Sequence, residues 1–344
     1  MKQISRYILV VILSSLYGCA ISQVQKVEAI GITVAEMDGS IKFYSEVLGF
    51  KKVSDEEVWG EEYEKLLNLF GLRMRVVRMK LGEEIIELTD YLTSGGRSIP
   101  EDARSNDLIF QHIAIVVSDM EAAYNHLRKY MVMHVSTAPQ TIPVSNTAAA
   151  GIKAFYFHDP DMHNLELIYF PKGKGNAKWQ SGNKHLFLGI DHTAICVSNT
   201  DSSLVLYESL LGIIRKGESW NMGMEQAHLN FVQAANLHIT GLRAREGPGI
   251  EFLEYIHPGP GKPYPSDSRT DDIWHWHTTL LVDNAMTLYE QLKRSQYHLV
   301  SGKLIQLRSK NGRVRNAFLV RDRDGHAILI KDSFEADLHV MNKD

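Results

Sequence analysis

Three histidines in this sequence open near-copies of one short strand. They stand in His112-Ile113-Ala114-Ile115-Val116-Val117, His192-Thr193-Ala194-Ile195-Cys196-Val197 and His277-Thr278-Thr279-Leu280-Leu281-Val282. Alternation puts Thr193, Ile195 and Val197 on one strand face and His192 on the other, among the small side chains Ala194 and Cys196. An imidazole so placed suits metal ligation or proton transfer near neutral pH. A fourth copy, Glu28-Ala29-Ile30-Gly31-Ile32-Thr33-Val34, carries Ala29 where the histidine would stand. One histidine at a strand start is most simply a hydrogen-bonded structural residue, but three at equivalent places in a repeat argue for a site. His275, one strand step from His277, competes with it for that role, and tryptophans 274 and 276 beside it read as core or pocket wall.

The elements that position these histidines also repeat. From residue 27 the chain recurs with a period of about 163 residues. Phe43-Tyr44-Ser45-Glu46-Val47-Leu48-Gly49 returns as Leu206-Tyr207-Glu208-Ser209-Leu210-Leu211-Gly212, and Phe155, Asp159, Asp161 and His163 return as Phe318, Asp322, Asp324 and His326. Each repeat divides again into strand, helix, then strands. Apolar spacing predicts helices over 39–47, 120–131, 202–211 and 284–295, with Gly49 and Gly212 as helix C-caps. Strands are expected at 75–81, 85–88, 154–158 and 165–169, split by Gly- or Asp-rich turns. Asp159-Pro160-Asp161 and Asp322-Arg323-Asp324-Gly325 read as β-turns, with His158, His163 and His326 as surface residues flanking them. Links at 92–107 and 258–272 lead into histidine strands, and the basic, glycine-rich stretch 171–188 reads as the boundary between two large repeats.

Four βαβββ-like units in two pairs resemble the vicinal oxygen chelate superfamily, which includes glyoxalase I, extradiol dioxygenases, epimerases and bleomycin-resistance proteins. The runs FYSEVLGF (43–50), HDPDMHNLELIYF (158–170) and GIDHTAICV (189–197) carry the resemblance, which covers about residues 27–335. It implies an α+β fold of two tandem domains, 27–170 and 189–335, each pairing two βαβββ modules into a half-open curved sheet. Which modules pair stays open: the first with the second, or the first with the fourth.

In that family a divalent metal is held by a residue starting each first strand and a glutamate on each last strand. Carried over, the positions are Ala29, His112, His192 and His277, and Glu87, Glu166, Glu251 and Leu329, with Glu254 as the alternative to Glu251. Pairing modules in chain order implies His192, Glu251 and His277 as a 2-His-1-carboxylate site for Fe, Mn, Zn or Ni. A second set would be Glu87, His112 and Glu166. Neither pair then supplies the four ligands usual in glyoxalase-like chemistry, and Leu329 stands where extradiol dioxygenases place their carboxylate. Tyr255, sharing a strand face with Glu251, is a candidate general acid or base. Two functions follow from the resemblance: a metalloenzyme acting on a small substrate with vicinal oxygens, dioxygenase- or glyoxalase/lyase-like, or a metal-free small-molecule binding protein of the bleomycin-resistance type.

The composition limits the alternatives. The chain has 344 residues, 44% hydrophobic and 23% charged, enough for about two folded domains. A formal net charge of -4 gives no basic face for nucleic acid. Residues 1–18 read as a signal peptide: Lys2 and Arg6 precede an apolar run too short to span a bilayer. The run ends in Leu16-Tyr17-Gly18-Cys19, which resembles the bacterial lipobox and implies lipidation of Cys19. With Ala20 next, the expected destination is the bacterial cell envelope, on the outer membrane facing the periplasm. The only other cysteine, Cys196, reads as a small buried hydrophobe. Detergent partitioning tests the anchor: the intact chain enters the detergent phase and Cys19→Ala the aqueous phase. Equal aqueous recovery of both would reject the lipid.

Overall fold

The computed structural model describes residues 23–182, 185–308 and 312–334. The expected signal peptide and Cys19 lie outside the described residues. Four modules follow one another. The first holds β1 (Val24–Thr33), α1 (Met37–Lys42) running into a π-helical turn (Phe43–Val47), β2 (Lys51–Trp59), α2 (Glu61–Leu67), β3 (Arg73–Leu81) and β4 (Glu84–Tyr91). The second holds β5 (Gln111–Val117), α3 (Met120–Lys129), β6 (Gln140–Thr141), β7 (Lys153–His158) and β8 (Asn164–Tyr169). The third holds β9 (Phe187–Cys196), α4 (Thr200–Leu204) with a second π-helical turn (Val205–Leu210), β10 (Ile214–Asn221), α5 (Met224–Asn230), β11 (Asn236–Arg243) and β12 (Gly249–His257). The fourth holds β13 (Trp276–Val282), α6 (Ala285–Leu292), β14 (His298–Leu299), β15 (Ile305–Arg308), β16 (Val314–Arg321) and β17 (Ala327–Asp332).

The strands form two sheets, each from two modules, as the resemblance implied. One runs β10-β11-β12-β9-β5-β8-β7-β6 and joins the second and third modules. The other runs β14-β16-β17-β13-β1-β4-β3-β2, with β15 beside β16, and joins the first and fourth. The expected division into 27–170 and 189–335 therefore cuts across both sheets. The boundary stretch 171–188 connects modules within one sheet, whereas the links 92–107 and 258–272 cross between sheets. These crossing links lock together: Leu108 N donates to Lys262 O and Ile273 N to Arg97 O, at 2.9 Å each. Arg97 also forks onto the buried carboxylate of Asp272, with Nε 2.9 Å from Oδ1 and Nη2 2.7 Å from Oδ2.

Helices α1, α3, α4 and α6 lie between the sheets, whereas α2 and α5 each pack against their own sheet. Ile30, Ile32, Ile86 and Leu88 meet Ile113, Ile115, Leu165 and Leu167 in one buried cluster around α1 and α3. Ile195, Phe252, Leu280 and Ile330 do the same around the third and fourth modules. The glycines after the first and third helices take left-handed backbone, φ 75° at Gly49 and 70° at Gly212, as C-caps require.

Two buried polar staples fasten sheet to sheet. Tyr44 Oη donates to Asp159 Oδ2 at 3.0 Å, and His163 Nδ1 lies 2.8 Å from the same oxygen. In the other half Tyr207 Oη donates to Asp322 Oδ2 at 3.1 Å, with His326 Nδ1 3.2 Å away. The turns are as expected, but His163 and His326 are buried and not surface residues, because each closes its own turn onto an aspartate. His163 Nε2 faces the Ile273 carbonyl at 2.8 Å, so both ring nitrogens meet acceptors. Burial opposes its charge, but Asp159 prevails and raises its pKa above 6.5. The stabilisation is thus full below the ordinary imidazole value and is lost as pH rises through the raised one. Tyr44→Phe should cost about 1 kcal/mol, whereas Asp159→Ala, which strands a buried imidazolium, should cost about 3 kcal/mol or more. Urea unfolding checks this; equal losses would contradict it.

Candidate metal centre

The centre is built where β5 and β9 run antiparallel in the sheet of the second and third modules. Their register sets His112 opposite Ala194 and Ala114 opposite His192. The last strands lie parallel outside them, pairing Ala114 with Glu166 and Ala194 with Glu251. Two histidines and two glutamates are thereby related by a local twofold over a floor of two alanines. A larger floor residue would occupy the space the rings use.

The four side chains converge. His112 Nε2 lies 3.0 Å from Glu166 Oε2, and His192 Nε2 lies 3.6 Å from that oxygen and 3.4 Å from Glu251 Oε1. His112, Glu166 and His192 each offer a ligand atom within 4.8 Å of the others. Among the described residues, neither nitrogen of His112 nor His192 Nε2 makes a hydrogen bond, although all are buried. Orphaned imidazole nitrogens facing a carboxylate are what a divalent cation would satisfy, so the donor set of His112, Glu166 and His192 fits one, with Glu251 alongside. Asp191 orients the second imidazole, with Oδ2 3.1 Å from His192 Nδ1. That carboxylate is itself held by Trp179 Nε1 at 2.7 Å and by Arg243. An oriented Nδ1–H leaves Nε2 free for a metal. Phe110 and Tyr156 wall the His112 side, with ring centroids 5.6 and 4.9 Å from the imidazole.

The same register in the other sheet places Ala29, Glu87, His277 and Leu329 at the equivalent positions. Only two of these can ligate. His277 lies flat on Gly31, where a Cβ would come within 2.1 Å of its ring. The charges there satisfy each other: Arg78 reaches Glu28 at 3.4 Å and Glu87 at 4.0 Å, and Lys331 reaches Glu28 at 3.7 Å.

The expected triad of His192, Glu251 and His277 is therefore not assembled, because His277 belongs to the other sheet. The second expected set also divides: His112 and Glu166 join the centre and Glu87 does not. Instead His112, Glu166 and His192 come within ligating distance of one another, and Glu251 stands beside them, 3.4 Å from His192 Nε2. Glu254 points away, accepting from Thr200 N at 3.1 Å, so Glu251 is the glutamate at the site. Tyr255 is taken by Asn230, which donates to its hydroxyl. His275 is buried beside His277, ring centroids 5.8 Å apart. Asp191 and Trp179 were missed; the Asp-His dipeptide was the available signal for the first.

Comparison with known proteins agrees with this architecture. Residues 26–167 match the Glyoxalase/Bleomycin resistance protein/Dioxygenase superfamily. Glyoxalase I from Zea mays is similar in fold, with TM-score 0.59 at 14% identity, covering 89% of this chain and 92% of that one. A Bacillus subtilis protein described as a dioxygenase has TM-score 0.56 at 14% identity, covering 92% and 88%. A 2-epi-5-epi-valiolone epimerase from Actinomyces sp is 29% identical over 152 residues, 43% of this chain and 80% of the relative. Residues 26–167 thus match this vicinal oxygen chelate superfamily, and the four βαβββ modules curled into two half-open sheets share its fold over most of the chain.

The two sheets should titrate differently. Burial opposes charge on His192, but Glu251, Asp191 and Glu166 outweigh it and raise its pKa to about 9. Burial, helped by Lys331 against Glu87, lowers His277 to about 4. His277 thus stays neutral as pH falls below 6.5 and costs stability there, since the unfolded imidazole would already be protonated. NMR titration of the metal-free protein should find His192 charged and His277 neutral at pH 6. Both rings titrating near 6.5 would contradict the geometry.

Proposed function

We infer that the protein is a divalent-metal-dependent enzyme whose centre is His112, Glu166, His192 and Glu251, acting on a small substrate with vicinal oxygens. The carrying observation is the convergence of His112, Glu166 and His192, with Glu251 as a second carboxylate 3.4 Å from His192 Nε2. That second carboxylate supports glyoxalase- or epimerase-like proton transfer, whereas ring-cleaving oxygenation uses two histidines and a single carboxylate. A bound Zn, Ni, Mn or Fe ion would act as a Lewis acid toward the substrate carbonyl, making the adjacent C–H more acidic. Glu251 is the group fitted to take that proton. Its side chain is 25% exposed against 6% for Glu166, and burial beside Glu166 raises its pKa toward the working range of a general base. Glu166 stays against His112 and holds the ligand frame. The curated relative named as an epimerase supports a reaction of this class. The lipid on Cys19 would tether this enzyme in the bacterial envelope.

Metal analysis of protein purified without chelators tests the reading. About one ion per chain is expected, lost in His112→Ala and His192→Ala but retained in His277→Ala, and Asp191→Asn should weaken affinity about 10- to 100-fold. Metal that follows His277 would refute the site. Its absence from the unaltered protein would favour the metal-free binding function instead.

A further inference from the structure

The two edges of the metal-bearing sheet approach each other away from the centre, where the loop after β6 meets the end of β10. Asn146 closes this seam, donating through Nδ2 to Asn221 Oδ1 at 2.7 Å and to Trp220 O at 3.2 Å. Behind the closure lies a cavity of about 180 Å³, lined by Trp220, Asn221, Glu225, Gln226 and Ser145 among others. Drug-sized ligands occupy roughly 300–1,000 Å³, so this volume suits a single small ring.

Its floor is an unfinished hydrogen-bond line. Gln226 Nε2 donates to Asn230 Oδ1, and Asn230 Nδ2 donates to Tyr255 Oη. Gln226 is 2% exposed, and its Oε1 has no partner among the described residues. Reversing both amides would leave Nε2–H unpartnered in place of Oε1, so one buried amide atom beneath the cavity surface stays unsatisfied either way. The fold does not require this line. Helix α2 has the same length as α5 and also follows a glycine, and Tyr63 and Leu67 hold the places of Gln226 and Asn230. Leu67 there is part of an apolar cluster.

The cavity wall adds an aromatic platform. Trp220 stacks on the His238 imidazole, with centroids 4.5 Å apart and planes 12° apart, and it remains 52% exposed. An indole face, two amides, a hydroxyl and a carboxylate around a volume of one ring match the alternating CH faces and hydroxyl edges of a cyclic polyol. Tyr255 lies four residues beyond Glu251, about 13 Å along the strand, so this is not where a metal-bound substrate would react.

We propose that the seam cavity is a separate binding site for a small polyhydroxylated ring, a monosaccharide or cyclitol. It stands independently of the metal reading. Calorimetric titration of the full chain with glucose and with myo-inositol, metal-loaded and chelator-stripped, tests it. Saturable binding of at least one polyol is expected in both forms, weakened about tenfold or more in Trp220→Ala, whose side chain is half in solvent and outside the core. Gln226→Met should weaken it as well, with thermal unfolding reporting whether that variant folds. No binding of either polyol, or binding unchanged in Trp220→Ala, would overturn the proposal. So would saturable binding of choline in place of the polyols, which would assign Trp220 and Glu225 to a cation.

Discussion

The antiparallel pairing of β5 with β9 is the constraint on which the centre depends. Strand periodicity allows a ligand only at alternate residues, and a slip of one would turn every side chain to the other face. The observed register sets each histidine opposite an alanine, so both rings occupy the concave face without collision. The parallel last strands then deliver one glutamate on each side. Nothing in either module alone would make a site, since each contributes one imidazole and one carboxylate.

The second sheet repeats this framework without the chemistry. Its equivalent pairing leaves alanine and leucine at two of four positions, and an ion-pair cluster of Glu28, Arg78, Glu87 and Lys331 replaces any need for a cation. The two sheets are nonetheless bound to each other. The crossing links share Arg97 and Asp272, and the Tyr44–Asp159 and Tyr207–Asp322 staples join modules of different sheets. The half without the ligand set thus packs as a platform against which the other half is held.

Much of this was legible in residues. The βαβββ repeat and the helix C-cap glycines follow from local pattern, the ligand positions follow from the family resemblance, and the observed registers align all eight of those positions. Module pairing did not follow, because it rests on contacts far apart in sequence. The links that decide it look like ordinary polar loops until Asp107, Asp271 and Asp272 are seen to be buried. One clue was present: only the second and third modules carry both a histidine and a glutamate. Each of those two also has alanine two residues after its histidine, whereas His277 is followed by Thr279. His163 and His326 were misread because turn residues are usually exposed, and only the packed structure shows the tyrosine reaching each turn.

The central claim is a location: one metal ion held across the second and third modules. Diffraction from crystals of metal-loaded protein, recorded at the absorption edge of the bound ion, measures that location directly. The account predicts one anomalous peak per chain, within coordination distance of His112, Glu166, His192 and Glu251. A peak beside His277 and Glu87, or none in metal-loaded crystals, would contradict it.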